Sequence, residues 1–215
     1  MPALPYGVYA IVDGGAPLDP ASTTPLDLVS AFVRGGAVVV QLRLKGWAAG
    51  AMVELARAAK ARCAGHALLV INDRADVAKL AGADGVHLGQ DDLPVAAARA
   101  LLGPDALIGL STHSDREQDA ADAGGPDYIG FGPVFATRSK PGALLPDPHG
   151  AAGLARAVRR GHKPVVAIGG ITAANAGEVA RAGARCAAAI AALTAAPDPE
   201  ARCRELVQAF AGGRR

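Results

Sequence analysis

Short runs of aliphatic residues recur along the whole chain and alternate with alanine-rich segments. Apolar positions in those segments follow helical spacing, as at Leu26, Val29 and Val33. The aliphatic runs are continuous rather than alternating, which is typical of strands buried on both faces of a parallel sheet. We therefore predict strands near residues 8–12, 38–42, 68–71, 85–88, 107–110, 128–131, 165–168 and 186–190.

Eight strands that alternate with helices predict an α/β fold, a closed (β/α)8 TIM barrel. Helix-start signals agree, because Ser114 and Glu117 have the spacing of a capping box and Asp198 precedes Pro199. At 215 residues, one TIM-barrel domain over 1–215 is expected, since barrels of this size form single units. Residues 137–150 predict a long loop after the sixth strand.

Composition narrows the functional class. The formal net charge is +2 and no dense cluster of Lys and Arg predicts binding to nucleic acid or to a membrane surface. Three widely spaced cysteines lack metal-site spacing and predict reduced, structural cysteines in a cytoplasmic protein. The N-terminus lacks the pattern of a secretory signal, and the longest apolar stretch is too short for a transmembrane helix. The sequence does not decide between a monomer and a homo-oligomer.

Acidic side chains follow the third and fourth predicted strands. Asp73 ends one strand and Asp92 follows the next, so the two carboxylates should meet at the C-terminal edge of the barrel, where such barrels form their sites. A pair of carboxylates suits Mg²⁺, which takes oxygen ligands and shares them with substrate phosphates. Either aspartate could instead be a helix N-cap, because Asp is favoured there and Pro94 marks a nearby helix start.

Basic and amide side chains follow the second and third strands. Arg43 and Lys45 alternate and can point the same way, towards phosphate oxygens. Gln41 and Asn72 could bind a polar heterocycle or satisfy backbone groups at the barrel rim. His87 lies within an apolar strand and is more typical of a structural histidine.

A glycine pair follows the seventh strand. Gly169 and Gly170, together with the end of the eighth strand, occupy the place where many barrels bind phosphate. The spacing alone thus predicts a Mg²⁺-assisted enzyme with two anionic subsites.

Six motifs, in this order, closely resemble the thiamine-phosphate synthase family over nearly the whole chain. They are QLRLK at 41–45, INDR at 71–74, GVHLGQDD at 85–92, GLSTH at 109–113, GPVFATRSK at 132–140 and AIGGI at 167–171.

The resemblance implies a reaction and its binding residues. A hydroxymethylpyrimidine diphosphate would lose pyrophosphate, and the nitrogen of a methyl-hydroxyethyl-thiazole phosphate would capture the resulting cation to give thiamine phosphate. Asp73 and Asp92 would ligate Mg²⁺. The pyrimidine diphosphate would be held by Gln41, Leu42, Arg43, Leu44, Lys45, Asn72, Ser111 and Lys140, of which Arg43, Lys45, Ser111 and Lys140 would be catalytic. The thiazole phosphate would be held by Thr137, Arg138, Ser139, Gly170, Ile190 and Ala191.

The chain departs from the family pattern at several positions. Leu44 stands where the family usually has Glu, and Ala191 stands where it usually has Ser at the phosphate site. Arg185 and Cys186 replace a common Asp-Gly. Two alternatives follow: a thiazole tautomerase of the same fold, which tends to carry His in place of Pro133, and a ligand-binding barrel without turnover.

Overall fold

The structure is a computed structural model, and it describes residues 3–15, 24–137 and 147–214. Each strand is short and almost entirely buried, as continuous aliphatic runs require. The strands are β1 (Gly7–Asp13), β2 (Val39–Arg43), β3 (Leu68–Asn72), β4 (Gly85–Leu88), β5 (Leu107–Thr112), β6 (Tyr128–Phe131), β7 (Val165–Ile168) and β8 (Cys186–Ala189).

Helices follow the strands and cover the outside of the barrel. They are α1 (Pro25–Arg34), α2 (Ala49–Cys63), α3 (Ala75–Ala81), α4 (Val95–Leu102), α5 (Asp115–Gly124), α6 (Gly150–Arg160), α7 (Ala176–Arg181), α8 (Ala191–Thr194) and α9 (Pro199–Gly212). Within the described ranges, no helix has the length and apolarity needed to cross a membrane.

All eight strands are parallel and close into one barrel. Neighbours in sequence are neighbours in the sheet, and β1 closes the ring by pairing with β8, with Tyr9 opposite Ala188. The TIM-barrel prediction is confirmed. Strand positions agree with the predicted runs to within two residues at either end, the largest difference being β5, which continues to Thr112.

Buried side chains form two layers. The inner layer fills the barrel and includes Tyr9, Val39, Val70, Leu107 and Tyr128. The outer layer lies between strands and helices and is the larger of the two. Because side chains alternate along a strand, each strand contributes to both layers, and its inward residues near the C-terminal end reach the barrel mouth.

Helix starts follow the sequence signals, with one difference. Asp198 caps α9 by accepting from the Ala201 N–H, at 2.9 Å. Ser114 accepts from the Glu117 N–H, but the Glu117 carboxylate accepts from the His113 N–H at 2.6 Å. The reciprocal half of the predicted capping box therefore serves the end of β5, one residue earlier than the pattern predicts.

Candidate functional site

Two adjoining cavities open at the C-terminal ends of the strands. The larger has a volume of about 910 Å³, and the smaller about 510 Å³. Eight predicted site residues line the larger cavity, namely Gln41, Arg43, Lys45, Asn72, Asp73, Asp92, Ser111 and Ile190. Four line the smaller one, namely Thr137, Gly170, Ile190 and Ala191.

The two aspartates face each other across the loops that follow β3 and β4. Burial raises the pKa of Asp73, and the hydrogen-bonding and charge of the adjacent Asp92 raise it further, against the opposing effect of Lys45. Two adjacent carboxylates repel each other when both are ionised. A divalent cation between them would remove that repulsion, which is the relationship expected of metal ligands. Among the described residues, no third acid, His or Cys joins them as a candidate ligand.

The backbone at Asp73 is held in an unusual conformation. Its φ is +63°, and it is the one residue other than glycine with a positive φ in the described chain. The Asp73 N–H donates to the His87 carbonyl at 2.8 Å, and the Arg74 N–H donates back to the Asn72 carbonyl at 2.7 Å. This tight turn directs the Asp73 side chain into the cavity. Strain of this kind concentrates at functional sites.

Neither aspartate caps a helix, so the N-cap alternative is excluded. The N-cap of α3 is Arg74, and that of α4 is Pro94. The Asp92 carboxylate instead accepts from the Gly89 N–H at 2.6 Å, which closes the turn after β4 and holds the side chain beside Asp73.

Both basic residues after β2 are engaged with acids. Arg43 donates to Asp13 at 2.6 Å, and the Arg43 side chain is only 17% exposed. Lys45 lies 3.4 Å from the Asp73 carboxylate and is 61% exposed. Asp13 ends β1, lines the larger cavity and holds the Arg43 guanidinium at the cavity mouth.

The leucines between these residues point the other way. Leu42 and Leu44 are buried in the outer layer against the helices, because they alternate with Gln41 and Arg43 along the strand. Neither lines the larger cavity. Only their backbone groups remain for the predicted contact with substrate.

Gln41 and Ser111 are joined through the barrel interior. Gln41 Nε2 donates to the Tyr9 hydroxyl at 2.9 Å, and Tyr9 contacts the Tyr128 hydroxyl at 3.0 Å. Tyr128 contacts His87 Nδ1 at 3.1 Å, and His87 Nε2 contacts Ser111 Oγ at 2.9 Å. His87 is therefore hydrogen-bonded, as the sequence suggested, but it also lines the larger cavity.

The smaller cavity is formed by the loops after β6, β7 and β8. Gly169 and Gly170 have φ values of +101° and +63°, and a Cβ at Gly169 would lie 2.7 Å from Pro133 Cα. Close packing against the loop after β6 thus requires glycine here. Thr137 lines this cavity, whereas the predicted residues Arg138, Ser139 and Lys140 lie outside the described residues.

His113 lies where the two cavities meet. Its Nδ1 donates to the Gly132 carbonyl at 2.6 Å, since a carbonyl oxygen can only accept. The residues common to both cavities are His113, Ile168, Ala188 and Ile190. In the sequence, the position of His113 directly after β5 was the one signal of a place at the barrel mouth.

Comparisons with known proteins agree with the geometry. A family model described as thiamine monophosphate synthase matches residues 8–193. The thiamine-phosphate synthase of Anaeromyxobacter dehalogenans is 50% identical over 97% of this chain and 89% of its own. The thiamine-phosphate synthase of Chlorobium luteolum is 49% identical over 86% of this chain and 87% of its own. The structure of the thiamine phosphate pyrophosphorylase from Pyrococcus furiosus is 33% identical, with a TM-score of 0.85 over 97% of this chain and 96% of that one. The resemblance in the motifs is confirmed.

Proposed function

The chain belongs to the thiamine monophosphate synthase family, and we propose that it joins a hydroxymethylpyrimidine diphosphate to a methyl-hydroxyethyl-thiazole phosphate. The bond between the pyrimidinylmethyl carbon and the diphosphate oxygen breaks, and its electron pair leaves with pyrophosphate. The thiazole nitrogen then donates its lone pair to that carbon. The products are thiamine phosphate and pyrophosphate.

One observation supports the proposal most directly. Asp73, Asp92, Arg43 and Lys45 converge in a single cavity, and a second cavity lined by Gly170 and Ala191 adjoins it. A dissociative displacement needs little proton transfer, but it needs positive charge where the leaving group gains negative charge. The two cavities provide for a diphosphate beside a second phosphorylated molecule.

We propose that Asp73 and Asp92 hold Mg²⁺. The raised pKa of Asp73 beside Asp92 supports this assignment, because two facing carboxylates favour a divalent cation between them. When bound, the ion supplies positive charge to the diphosphate oxygens. With two protein ligands, the remaining coordination positions would fall to substrate oxygens and water.

Arg43, Lys45 and Lys140 are proposed to stabilise the departing pyrophosphate. Arg43 is suited to grip phosphate oxygens in a bidentate way, since Asp13 holds its guanidinium at the cavity mouth. Removing one such preorganised group typically costs about 3 kcal/mol in the barrier. Gln41, Asn72 and Ser111 are proposed to hold the pyrimidine diphosphate in the same cavity.

The smaller cavity is proposed to bind the thiazole phosphate through Thr137, Arg138, Ser139, Gly170, Ile190 and Ala191. The turn after β7 and the start of α8 occupy the position in which barrels commonly bind phosphate. Ala191 offers only backbone groups there. Most of the predicted loop over 137–150 lies outside the described residues. We also propose that the enzyme acts in the cytoplasm.

A direct assay tests the proposal. The purified chain is incubated with both substrates and Mg²⁺, and thiamine phosphate and pyrophosphate are measured by mass spectrometry. We expect equal amounts of the two, loss of both with EDTA, and recovery on adding Mg²⁺. Absence of product at every substrate concentration would exclude the synthase reaction. Conversion of a thiazole carboxylate phosphate between tautomers would then favour the tautomerase, and binding without turnover the non-catalytic barrel.

A further inference from the structure

Five polar side chains form a continuous hydrogen-bonded chain through the barrel interior. It runs from Gln41 on β2 through Tyr9, Tyr128 and His87 to Ser111 on β5, with separations of 2.9, 3.0, 3.1 and 2.9 Å. Its middle members come from β1, β6 and β4. All five residues line the larger cavity.

The fixed donor at Gln41 favours one direction of donation along the chain, from Gln41 towards Ser111. Gln41 Nε2 can only donate, so the Tyr9 hydroxyl accepts from it and gives its own hydrogen to Tyr128. In that direction Tyr128 donates to His87 Nδ1, and the proton of a neutral His87 ring lies on Nε2. His87 Nε2–H donates to Ser111 Oγ. The hydroxyl hydrogen of Ser111 and the carbonyl oxygen of Gln41 are left to face a ligand.

The fold reserves space for these rings. A Cβ at Gly109 would overlap the Tyr128 ring and would lie 2.5 Å from His87 Nδ1, and a Cβ at Gly130 would lie 3.0 Å from His87 Cε1. Tyr9 and Tyr128 are 1% and 0% exposed. Burial raises the pKa of both phenols, so both remain neutral donors. Removing one of these phenol hydroxyls would be costly, because the packed rings leave no room for a water molecule to replace it. The polar groups that it contacts would then lose a hydrogen-bond partner.

We propose that Tyr9, Tyr128 and His87 are positioning residues, which set the polarity of Gln41 and Ser111 towards the pyrimidine diphosphate. Gln41 presents an acceptor to a hydrogen-bond donor of the pyrimidine. Ser111 presents a donor to a substrate oxygen. This inference depends on the proposed function, because that function assigns the pyrimidine diphosphate to this cavity.

Steady-state kinetics of Tyr→Phe variants test the positioning role. Tyr128→Phe and Tyr9→Phe each break the chain without changing the ring. We expect kcat/KM for the pyrimidine diphosphate to fall about tenfold, which corresponds to one lost and unsatisfied hydrogen bond. KM for the thiazole phosphate should change by less than about twofold. The smaller cavity, where this substrate is proposed to bind, is not lined by any of the five hydrogen-bonded residues. Tyr6→Phe is the matched control, because Tyr6 stacks on Phe210 outside the chain.

A double-mutant cycle separates positioning from packing. In a Ser111→Ala background, Tyr128→Phe should lower kcat/KM by clearly less than it does alone, because the group it positions is gone. Full additivity would overturn the inference, as would unchanged kinetics in both Tyr→Phe variants or an equal loss of affinity for both substrates.

The histidine tautomer gives a test that needs no variant. ¹⁵N resonances of His87 in the wild-type protein should show a protonated Nε2 and an unprotonated Nδ1. A protonated Nδ1 would reverse the chain and overturn the inference. If the wild type makes no thiamine phosphate, the proposed function fails as well; an active wild type with unaffected variants removes the positioning role alone.

Discussion

Replacing Asp73 with Asn should separate metal binding from stability. The substitution removes one of two facing carboxylates and keeps the shape of the side chain. Without Mg²⁺, Asp73 is held against Asp92 with a raised pKa, which is a cost in the folded protein. We therefore expect Asp73→Asn to lose turnover and yet to be at least as stable as the wild type when Mg²⁺ is absent.

The magnitude follows from the arrangement of charges. Two carboxylates about 4 Å apart repel by about 4 kcal/mol at an effective dielectric constant of 20. Lys45, 3.4 Å from Asp73, offsets part of that repulsion, and its 61% exposure shows that water reaches the site. We expect the net gain in the free energy of unfolding to be about 1 kcal/mol, because exposed ion pairs contribute little.

The backbone at position 73 allows a second comparison. With φ at +63°, Asp73 occupies a region that Asn and Gly tolerate and Ala does not. Asp73→Ala should therefore be less stable than Asp73→Asn or Asp73→Gly by about 1 kcal/mol. All three should lose turnover to a similar degree, since none offers a carboxylate to Mg²⁺.

Urea denaturation with and without Mg²⁺, together with the product assay, measures both effects. Mg²⁺ should stabilise the wild type and leave Asp73→Asn unchanged. Asp76→Asn is the matched control, because Asp76 pairs with Arg74 at 2.8 Å on the exposed start of α3. An Asp73→Asn variant that retains wild-type turnover, or that is stabilised by Mg²⁺ as the wild type is, would refute the metal assignment.

Three further predictions concern other parts of the barrel. Ala191→Ser should lower KM for the thiazole phosphate about fivefold, because the serine hydroxyl would add one hydrogen bond to the phosphate. Steady-state kinetics should show an unchanged KM for the pyrimidine diphosphate. Asp13→Asn should lower the free energy of unfolding by about 2 kcal/mol, because it leaves the poorly exposed Arg43 without its acidic partner. Urea denaturation measures this difference, and a variant as stable as the wild type would contradict a stabilising Arg43–Asp13 pair. Burial raises the pKa of Cys63 from 9.0 to about 11, so its contribution to stability should be present below pH 9 and lost as the pH rises through about 11. Thermal midpoints of the wild type and Cys63→Ala across that range would measure this loss.

The sequence was sufficient for the fold because each strand is buried on both faces. Residues 165–168 contain no polar side chain, and such a run has few alternatives to a buried parallel strand. Once eight such strands are in order, chain connectivity places Asp73 and Asp92 at the same edge. Their convergence was therefore predictable without knowledge of any side-chain conformation.

Interactions across the barrel were not predictable from the pattern. Tyr9 and Tyr128 are separated by 119 residues, and their contact depends on the tilt and register of β1 and β6. The pairing of Arg43 with Asp13 depends likewise on the register that sets these two residues opposite each other. The turn at Asp73 was hidden for another reason, since a left-handed aspartate has no clear signature in a single sequence.

In the proposed reaction, the boundary between the two cavities is where the cation would meet the thiazole nitrogen. It is bordered by Ile168, Ala188 and Ile190, with His113 as the one polar side chain among the described residues common to both cavities. Asp73 and Asp92 lie on the side of the larger cavity, where the diphosphate is proposed to sit. Glu117 also lines the larger cavity, and its carboxylate is engaged by the His113 N–H at 2.6 Å. An apolar boundary also holds water poorly, and water is the competing nucleophile. In the proposed reaction, charge stabilisation would take place in the larger cavity and bond formation at its boundary with the smaller one.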